Sequence, residues 1–389
     1  MSKIAEKPKD LFLLEGINVI SFNKDFTKVA LSKRDHLIYI YEITDFQKPD
    51  KWKLLNTLNM HILYISGLDW HPLTDKILSC SHDKTSYVWS YENNEWQFEN
   101  VVVTTNLGFL SCSWNKKGNK FCECTGNKVI IGYFNKTSKW WMGIPLKYKE
   151  KKKEEGNTEK KGDENTTGEK KGGGNSTATV AKIDPSSLYC ISGYTNAGVK
   201  ITSCYIKDVD DESGGEINDF GVVLYKFKMN GWILNVNWSD NGIAFASSQD
   251  STIAIIDIKN KKHDLIRCTH SPVTKIYPVS DNEFYSVSYD RKIRLYSNDG
   301  DNWKVKKDVT EKKKEKMSLE KVEAPVFRTG AVADALKIFN QSGLKKKESI
   351  KVDVEKNDNI NPAVITGFAI NGNKIISVDM AGFIKLWNK

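Results

Sequence analysis

Short stretches of alternating apolar and polar residues recur along the whole chain and predict β-strands. The clearest copy is residues 65–90, ISGLDWHPLTDKILSCSHDKTSYVWS, in which polar turns separate three such stretches. The first stretch ends at Trp70, the tight turn after the second carries Asp83, and the third closes at Trp89. We call the large residue that ends the first stretch the anchor. Strands with a period of two residues, joined by tight turns, are typical of a small antiparallel sheet.

Six further segments follow the same plan. In chain order the seven anchors are Phe22, Trp70, Trp114, Ile183, Trp238, Tyr277 and Phe368. The residues predicted at the tight turns are Asp35, Asp83, Asn127, Asn196, Asp250, Asp290 and Asp379, and the last copy closes at Trp387. Asp and Asn suit such turns because they tolerate the left-handed conformation and bond to nearby backbone. The anchor-to-turn distance is 13 residues in five copies, 12 in the fifth and 11 in the seventh, so the copies are in phase.

The spacing of the copies predicts a propeller. Successive anchors lie 48, 44, 69, 55, 39 and 91 residues apart, whereas a propeller repeat spans roughly 40–45 residues. A lone small sheet cannot bury both faces, and radial stacking of several sheets can. The sequence therefore predicts an all-β protein, a single seven-bladed WD-repeat β-propeller over residues 1–389 with two low-complexity blade inserts. A β-sandwich or two unrelated β-domains remain alternatives, because the Trp-Asp dipeptide of such repeats never occurs.

The two ends of the chain suggest how the ring closes. The last copy stops after its third strand, and an apolar run at residues 11–14 precedes the first copy. We therefore expect residues 11–15 to pair with residues 383–388 as the missing outer strand.

Two Lys-rich segments occupy the long gaps between anchors. Residues 147–177 contain Lys, Glu, Gly, Asn and Thr without apolar periodicity, which predicts a disordered insert. Residues 300–362 form a longer blade insert, in which a short amphipathic helix is predicted at about 331–342. Its apolar stripe consists of Val332, Ala335, Leu336 and Phe339, at helical spacing. From the pattern alone, this helix either folds onto the propeller or projects towards a partner.

Charge and composition narrow the function classes. The net charge is +9, of which residues 147–177 contribute +2 and residues 304–321 contribute +4. The remaining excess is small, so direct nucleic-acid binding is not expected. Seven cysteines without a C-x-x-C motif indicate a reducing compartment and no disulfide framework. The apolar run at the N-terminus is too short for a signal peptide or a membrane span.

No catalytic or metal-binding constellation stands out. The six histidines show no paired ligand spacing, and His71 and His82 fall at turn positions suited to structural hydrogen bonds. Nucleotide-binding and hydrolase motifs are missing as well. We therefore expect no enzyme activity, no cofactor and no bound metal. A propeller hydrolase remains an alternative, since propellers can host chemistry in the central channel.

Several motifs, in order, resemble one family. They are residues 12–15 (FLLE) with 22–25 (FNKD), residues 67–72 (GLDWHP), residues 83–89 (DKTSYVW), residues 133–134 (YF) before 140–141 (WW), and residues 205–209 (YIKDV). They are similar to segments of subunit 1 of the actin-related protein 2/3 complex, a WD-repeat propeller family. The resemblance covers most of the chain outside the two inserts.

The resemblance implies a non-catalytic scaffold that supports nucleation of branched actin filaments. It also implies three kinds of partner: other subunits of the complex, the actin filament and nucleation-promoting factors. The partner-binding residues implied are those of the insert helix: Val332, Ala335, Leu336, Lys337, Ile338 and Phe339. The implied location is the cytoplasm and cytoskeleton, with the nucleus left open. The alternative is a WD-repeat adaptor in a different assembly, of the ubiquitin-ligase or chromatin type.

Overall fold

Alternating apolar positions form the strands of a series of small antiparallel sheets. The computed structural model describes residues 16–46, 51–150, 176–210, 217–300, 302–310, 361–372 and 374–389. Within these ranges the regular elements are β-strands. None of the described elements is a helix long and apolar enough to cross a membrane.

The first four sheets contain the strands between Val19 and Lys228. The first contains β1 (Val19–Phe22), β2 (Lys28–Ser32), β3 (Ile38–Glu42) and β4 (Lys53–Leu58). The second contains β5 (Ile65–Trp70), β6 (Ile77–Ser81), β7 (Ser86–Glu92) and β8 (Glu95–Val102). The third contains β9 (Phe109–Trp114), β10 (Lys120–Thr125), β11 (Lys128–Asn135) and β12 (Trp140–Pro145). The fourth contains β13 (Lys149–Glu150), β14 (Ala178–Ile183), β15 (Tyr189–Tyr194), β16 (Gly198–Ser203) and β17 (Val222–Lys228).

Three more sheets follow between Ile233 and Asn388. The fifth contains β18 (Ile233–Trp238), β19 (Ile243–Ser248), β20 (Thr252–Asp257) and β21 (Lys262–Arg267). The sixth contains β22 (Val273–Pro278), β23 (Glu283–Ser288), β24 (Ile293–Asn298) and β25 (Trp303–Asp308). The seventh contains β26 (Ile365–Asn371), β27 (Lys374–Asp379) and β28 (Ile384–Asn388). Two pairings depart from the antiparallel plan: β8 pairs with β12 in parallel, which joins the second and third sheets, and β13 pairs with β17 in parallel.

The first strands of neighbouring sheets lie side by side and run in the same direction. Side chains at matching levels link them: Asn18 donates to the Ile65 carbonyl, Ser66 to that of Phe109, Ser111 to that of Thr179, and Thr179 to that of Ile233. Farther round, the Ile276 amide donates to Asn235. A hydrogen bond buried between sheets satisfies a polar group that burial would otherwise penalise. These links fix the level at which each sheet meets the next.

Apolar side chains fill the spaces between the sheets and close the ring. The sixth and seventh sheets meet where Tyr285 and Val287 pack with Ile365 and Trp387. The seventh meets the first through Val378 and Ile384, which pack with Ile17, Val29 and Leu31. The predicted all-β propeller is thereby confirmed.

Two predicted anchors are misplaced in register. A correctly placed anchor pairs with the residue six positions before the turn residue, as Trp238 does with Ala244 in the fifth sheet. In the sixth sheet that residue is Phe284, and it pairs with Pro278 rather than with Tyr277. In the seventh sheet Ile370 takes this place rather than Phe368, because it lies five residues after Ile365, as Trp70 does after Ile65, and pairs with Ile375. The reason is physical: Tyr277 and Phe368 are large and aromatic but line the central channel, where the size of a side chain does not signal burial.

The predicted turn aspartates act through their carboxylates. The backbone amides of Thr85, Thr252 and Lys292 donate to Asp83, Asp250 and Asp290, each two residues earlier. The left-handed conformation falls on the residue between, with φ of 72° at Lys84, 65° at Ser251 and 66° at Arg291. We expected the aspartates to tolerate that conformation, but they stabilise a neighbour that adopts it. In the first sheet Asp35 accepts from Leu37, and the left-handed residue is Arg34.

Several sequence predictions fall outside the described residues. They concern the closing strand at residues 11–15, the core of the insert at 147–177 and the helix at about 331–342. Within the described chain, β28 pairs with β27. Closure by the N-terminal segment therefore stays a prediction.

Candidate interaction surfaces

A chain of hydrogen bonds holds the loop before β5 against the turn that follows β6. The Trp89 indole donates to Ser79 Oγ (2.9 Å), Ser79 Oγ lies 2.9 Å from Nε2 of His61, and Nδ1 of His61 lies 3.1 Å from Asp83 Oδ2. With the His61 proton on Nδ1, every donor in this chain has an acceptor. The Ile62 amide also donates to Asp83, which ties the loop directly to the turn.

The electrostatics of this network favour a charged aspartate. Burial by itself raises the pKa of the Asp83 carboxyl, but hydrogen bonds from His61, Thr85 and the Ile62 amide hold that pKa well below its usual range. The sequence analysis found Asp83 and Trp89 but missed His61. A histidine in the loop ahead of the first strand, 22 residues before the turn Asp, was the available signal.

The seventh sheet contains a similar network without histidine. Trp387 donates through its indole to Ser377 Oγ (2.8 Å), and Ser377 donates to Asn361 Oδ1 (2.9 Å). The Ala363 amide donates to Asp379, as Ile62 does to Asp83. Trp89 and Trp387, both predicted to close a repeat, thus fix the position of a loop at the same end of their sheets.

We call this end of the sheets the loop face: the loops before the first strands and the turns between second and third strands lie there. Among the residues that the structure describes, six large apolar side chains are exposed on it, from five different sheets: Ile62, Leu63, Leu107, Trp232, Tyr289 and Met380. Ile62 is 78% exposed although its backbone is fixed by Asp83. Single exposed apolar residues are ordinary, but several on one face are typical of a protein interaction site.

A second apolar surface lies where β8 meets β12. Phe98, Val102 and Trp140 are exposed there, Trp140 by 54%. The adjacent Trp141 is only 2% exposed and packs against Trp114, Phe121 and Phe134. Its indole donates to Glu99 (2.9 Å). Because successive side chains of a strand point to opposite faces, one tryptophan of the pair supports the fold and the other faces solvent.

The other predicted sites are placed as follows. His71 is buried, with Nδ1 accepting from the Thr74 amide and Nε2 near the Lys116 carbonyl, so its role is structural. No group of three or more potential metal ligands was found in the described part of the chain. All seven cysteines are free thiols. The residues of the predicted partner helix, 332–339, lie outside the described residues.

Comparison with known proteins adds to this geometry. The family model for the WD domain, G-beta repeat, matches residues 52–90, which span β4 and most of β7 and include the His61 network. Actin-related protein 2/3 complex subunit 1A-A of Xenopus laevis is 27% identical over 72% of this chain and 70% of its own length. Subunit 1A of Arabidopsis thaliana is 25% identical over 73% and 71%. Subunit 1 of Saccharomyces cerevisiae is 20% identical over 93% and 91%.

The chain is similar to subunit 1 of the actin-related protein 2/3 complex.

The resemblance expected from the sequence motifs is therefore confirmed. The similarity to the subunit 1 proteins covers about seven-tenths or more of the chain in these three relatives. It therefore cannot be confined to the single WD repeat that the family model matches. The motifs around Trp70, Trp89 and Trp141 occupy the second and third sheets, which carry the apolar surface at Trp140 and contribute Ile62, Leu63 and Leu107 to the loop face.

Proposed function

We propose that this subunit 1-like chain is a non-catalytic scaffold of an actin-related protein 2/3 complex and supports the nucleation of branched actin filaments. The observation that carries this proposal is the similarity to subunit 1 proteins along most of the chain. The proposed location is the cytoplasm and cytoskeleton. The nucleus and a role as adaptor in another assembly are outcomes that co-purification can reveal.

The structure supports a binding role through its surface. The loop face and the edge at Trp140 expose large apolar side chains on rigid strand ends and hydrogen-bonded loops. Preorganised loops lose little conformational entropy on binding, which favours stable association. Large apolar and aromatic residues are also the side chains that contribute most at protein interfaces. We therefore assign the contacts with other subunits to these two surfaces.

Charge placed on the loop face is expected to reduce partner binding. The double substitution Ile62→Asp and Leu63→Asp changes two exposed side chains, so unfolding free energy should change by less than about 1 kcal/mol. Affinity purification of the tagged full chain followed by quantitative mass spectrometry measures the result. The wild type should recover actin-related proteins 2 and 3, and the double variant several-fold less of them.

Leu73→Asp is the matched control, because Leu73 is 66% exposed on the turn after β5, at the opposite end of the sheets. It should leave the recovery of partners unchanged. Equal recovery with the wild type and both variants would remove the loop face from the interface. A stable set of partners lacking actin-related proteins would refute the proposed function itself.

The insert helix is proposed to contact the actin filament and nucleation-promoting factors through Val332, Ala335, Leu336, Lys337, Ile338 and Phe339. Phe339→Ala should lower the affinity of the assembled complex for actin filaments in a sedimentation assay. The melting temperature should barely change, because a projecting helix contributes little to the core. Asp334→Ala, off the apolar stripe, is the control. A loss of several kcal/mol of stability on Phe339→Ala would instead place this side chain in a core.

A further inference from the structure

The central channel contains a cavity that the proposed scaffold role does not use. Its volume is about 460 Å³, and residues from the first strands of all seven sheets line it. Such a volume is within the range of small-molecule sites, roughly 300–1,000 Å³. Asp69, Ser113, Lys182 and Asn237 lie at one level of the channel, because the strand register places each of them directly before an anchor.

Most polar side chains of the cavity bond to the protein itself. Ser113 donates to Asp69, whose carboxylate also accepts from the Trp114 amide (2.8 Å). Thr366 donates to the Val378 carbonyl. Both polar atoms of the Asn237 side chain have partners: Nδ2 donates to the Ile276 carbonyl, and Oδ1 accepts from the Trp238 amide. The wall formed by these groups therefore has little left to offer a ligand.

Three donors in the fourth, fifth and sixth sheets differ from the rest. Among the described residues, the amino groups of Lys182 and Lys275 have no hydrogen bond or ion pair, and both line the cavity. Asn235 lies between them in the ring; its oxygen accepts from the Ile276 amide, while its amide nitrogen has no partner within the described chain. One arc of the channel thus carries two positive charges and an amide donor without a matching acceptor.

The positive charge of Lys182 acts on Lys275 across this arc. Partial removal from water lowers the pKa of Lys275, and the positive charge of Lys182 lowers it further. Asp69 lines the same cavity and Asp240 lines an adjoining one with Lys182, and both carboxylates already have partners: Asp69 accepts from Ser113 and Trp114, and Asp240 pairs with Lys116 at 2.7 Å. Lys24, also on the cavity wall, adds a third positive charge. An anion between the amino groups would relieve the repulsion and supply the missing acceptors.

We propose that this arc binds the phosphate group of a small phosphomonoester, held by Lys182, Lys275 and Asn235. A phosphate dianion neutralises two ammonium groups, and its tetrahedral oxygens can accept from three directions, whereas a carboxylate has one charge and two coplanar oxygens. Lysine binds phosphate as a point charge, without a fixed approach angle. Tyr277 and Phe368 line the same cavity and lie in ring contact, so they offer an aromatic surface to the organic part of the ligand.

The test uses the folded full-length chain and two probes, inorganic phosphate and phenyl phosphate, titrated by calorimetry at constant ionic strength set with sodium chloride. Phenyl phosphate should bind and raise the melting temperature. Lys182→Met and Lys275→Met should each weaken binding about tenfold or more, the loss expected for one charge-assisted hydrogen bond. Lys128→Met, an exposed lysine at the start of β11, is the control and should bind as the wild type does.

The two probes separate the sources of the phosphate group. Tighter binding of phenyl phosphate indicates an organic phosphomonoester, and equal binding indicates that free phosphate fills the site. The inference is overturned if neither probe binds at millimolar concentration. It is also overturned if the Lys182 and Lys275 variants both bind phenyl phosphate as tightly as the Lys128 variant does, while their melting temperatures are at least that of the wild type.

Discussion

Replacing Trp141 by alanine is expected to lower the free energy of unfolding by about 3–5 kcal/mol, the usual cost of deleting a buried large aromatic side chain. Trp141 is 2% exposed and lies between the second and third sheets, with ring centroids of Trp114 and Phe134 each 5.4 Å away. Its loss also leaves Glu99 without an indole donor. Urea denaturation followed by circular dichroism measures the change.

The adjacent tryptophan provides the matched control. Trp140→Ala removes the same number of atoms from a side chain that is 54% exposed, so stability should change by less than about 1 kcal/mol. Its effect should appear instead as weaker recovery of partner proteins. Equal destabilisation by the two substitutions would show that the two side chains are not divided between core and surface as described.

Glu123→Gln is expected to stabilise the protein at pH 7–8. Glu123 lies in β10 with a fully buried carboxyl group, and neither carboxyl oxygen has a hydrogen-bond partner among the described residues. Burial raises the pKa of this group to about 8, and the nearby Ser86 hydroxyl offsets only part of that effect. The folded protein therefore carries Glu123 in its neutral form at pH 7, whereas the unfolded chain ionises it.

The pH dependence has a defined sign. Between the unfolded pKa of 4.5 and the folded pKa of about 8, the folded state binds one proton more than the unfolded state. Stability therefore falls as pH rises through this window, by up to about 1.4 kcal/mol per pH unit, which is on the order of 3 kcal/mol by pH 7. Glutamine is close in shape and does not ionise, so the variant should lack this loss.

The measurement is the difference in unfolding free energy between the variant and the wild type from pH 5 to pH 8. The difference should grow in favour of the variant as the pH rises. Glu283→Gln is the control, because Glu283 is ion-paired with Lys306 at 2.6 Å and its removal should destabilise slightly. Parallel curves for Glu123→Gln and the wild type would contradict a neutral Glu123 in the folded state.

The repeat pattern predicts the sheets because their strands obey local rules. Trp70, Trp114 and Trp238 end the first strands of their sheets and are buried, as expected from alternation and spacing. The pattern fails at Tyr277 and Phe368, since an aromatic residue in the channel and one between sheets look alike in sequence. The bulge near the start of the first strand does not cause the failure, because β5 and β18, whose anchors are correctly placed, have the same bulge as β22 and β26.

Contacts between distant segments could not be predicted. Lys120 is fully buried, and its amino group binds Asp210 (2.7 Å) and the carbonyls of Ser187 and Cys204. These partners lie 67 to 90 residues away in sequence, and a lysine in an alternating strand gives no sign of them. The channel donors Lys182 and Lys275 likewise come together only once the ring closes. The sequence therefore predicts the individual strands, but not which charged side chains of distant strands meet in the folded protein.

The most direct test of the scaffold role is branched actin assembly in a native extract of cells genetically depleted of this chain, in which the other subunits remain. Adding back the wild-type protein should restore the rate of assembly, and adding the Ile62→Asp, Leu63→Asp variant should restore much less. Since no catalytic step is assigned to the chain, restoration should follow its incorporation into the complex with actin-related proteins. A depleted extract that assembles branched filaments at the undiminished rate would contradict the scaffold role.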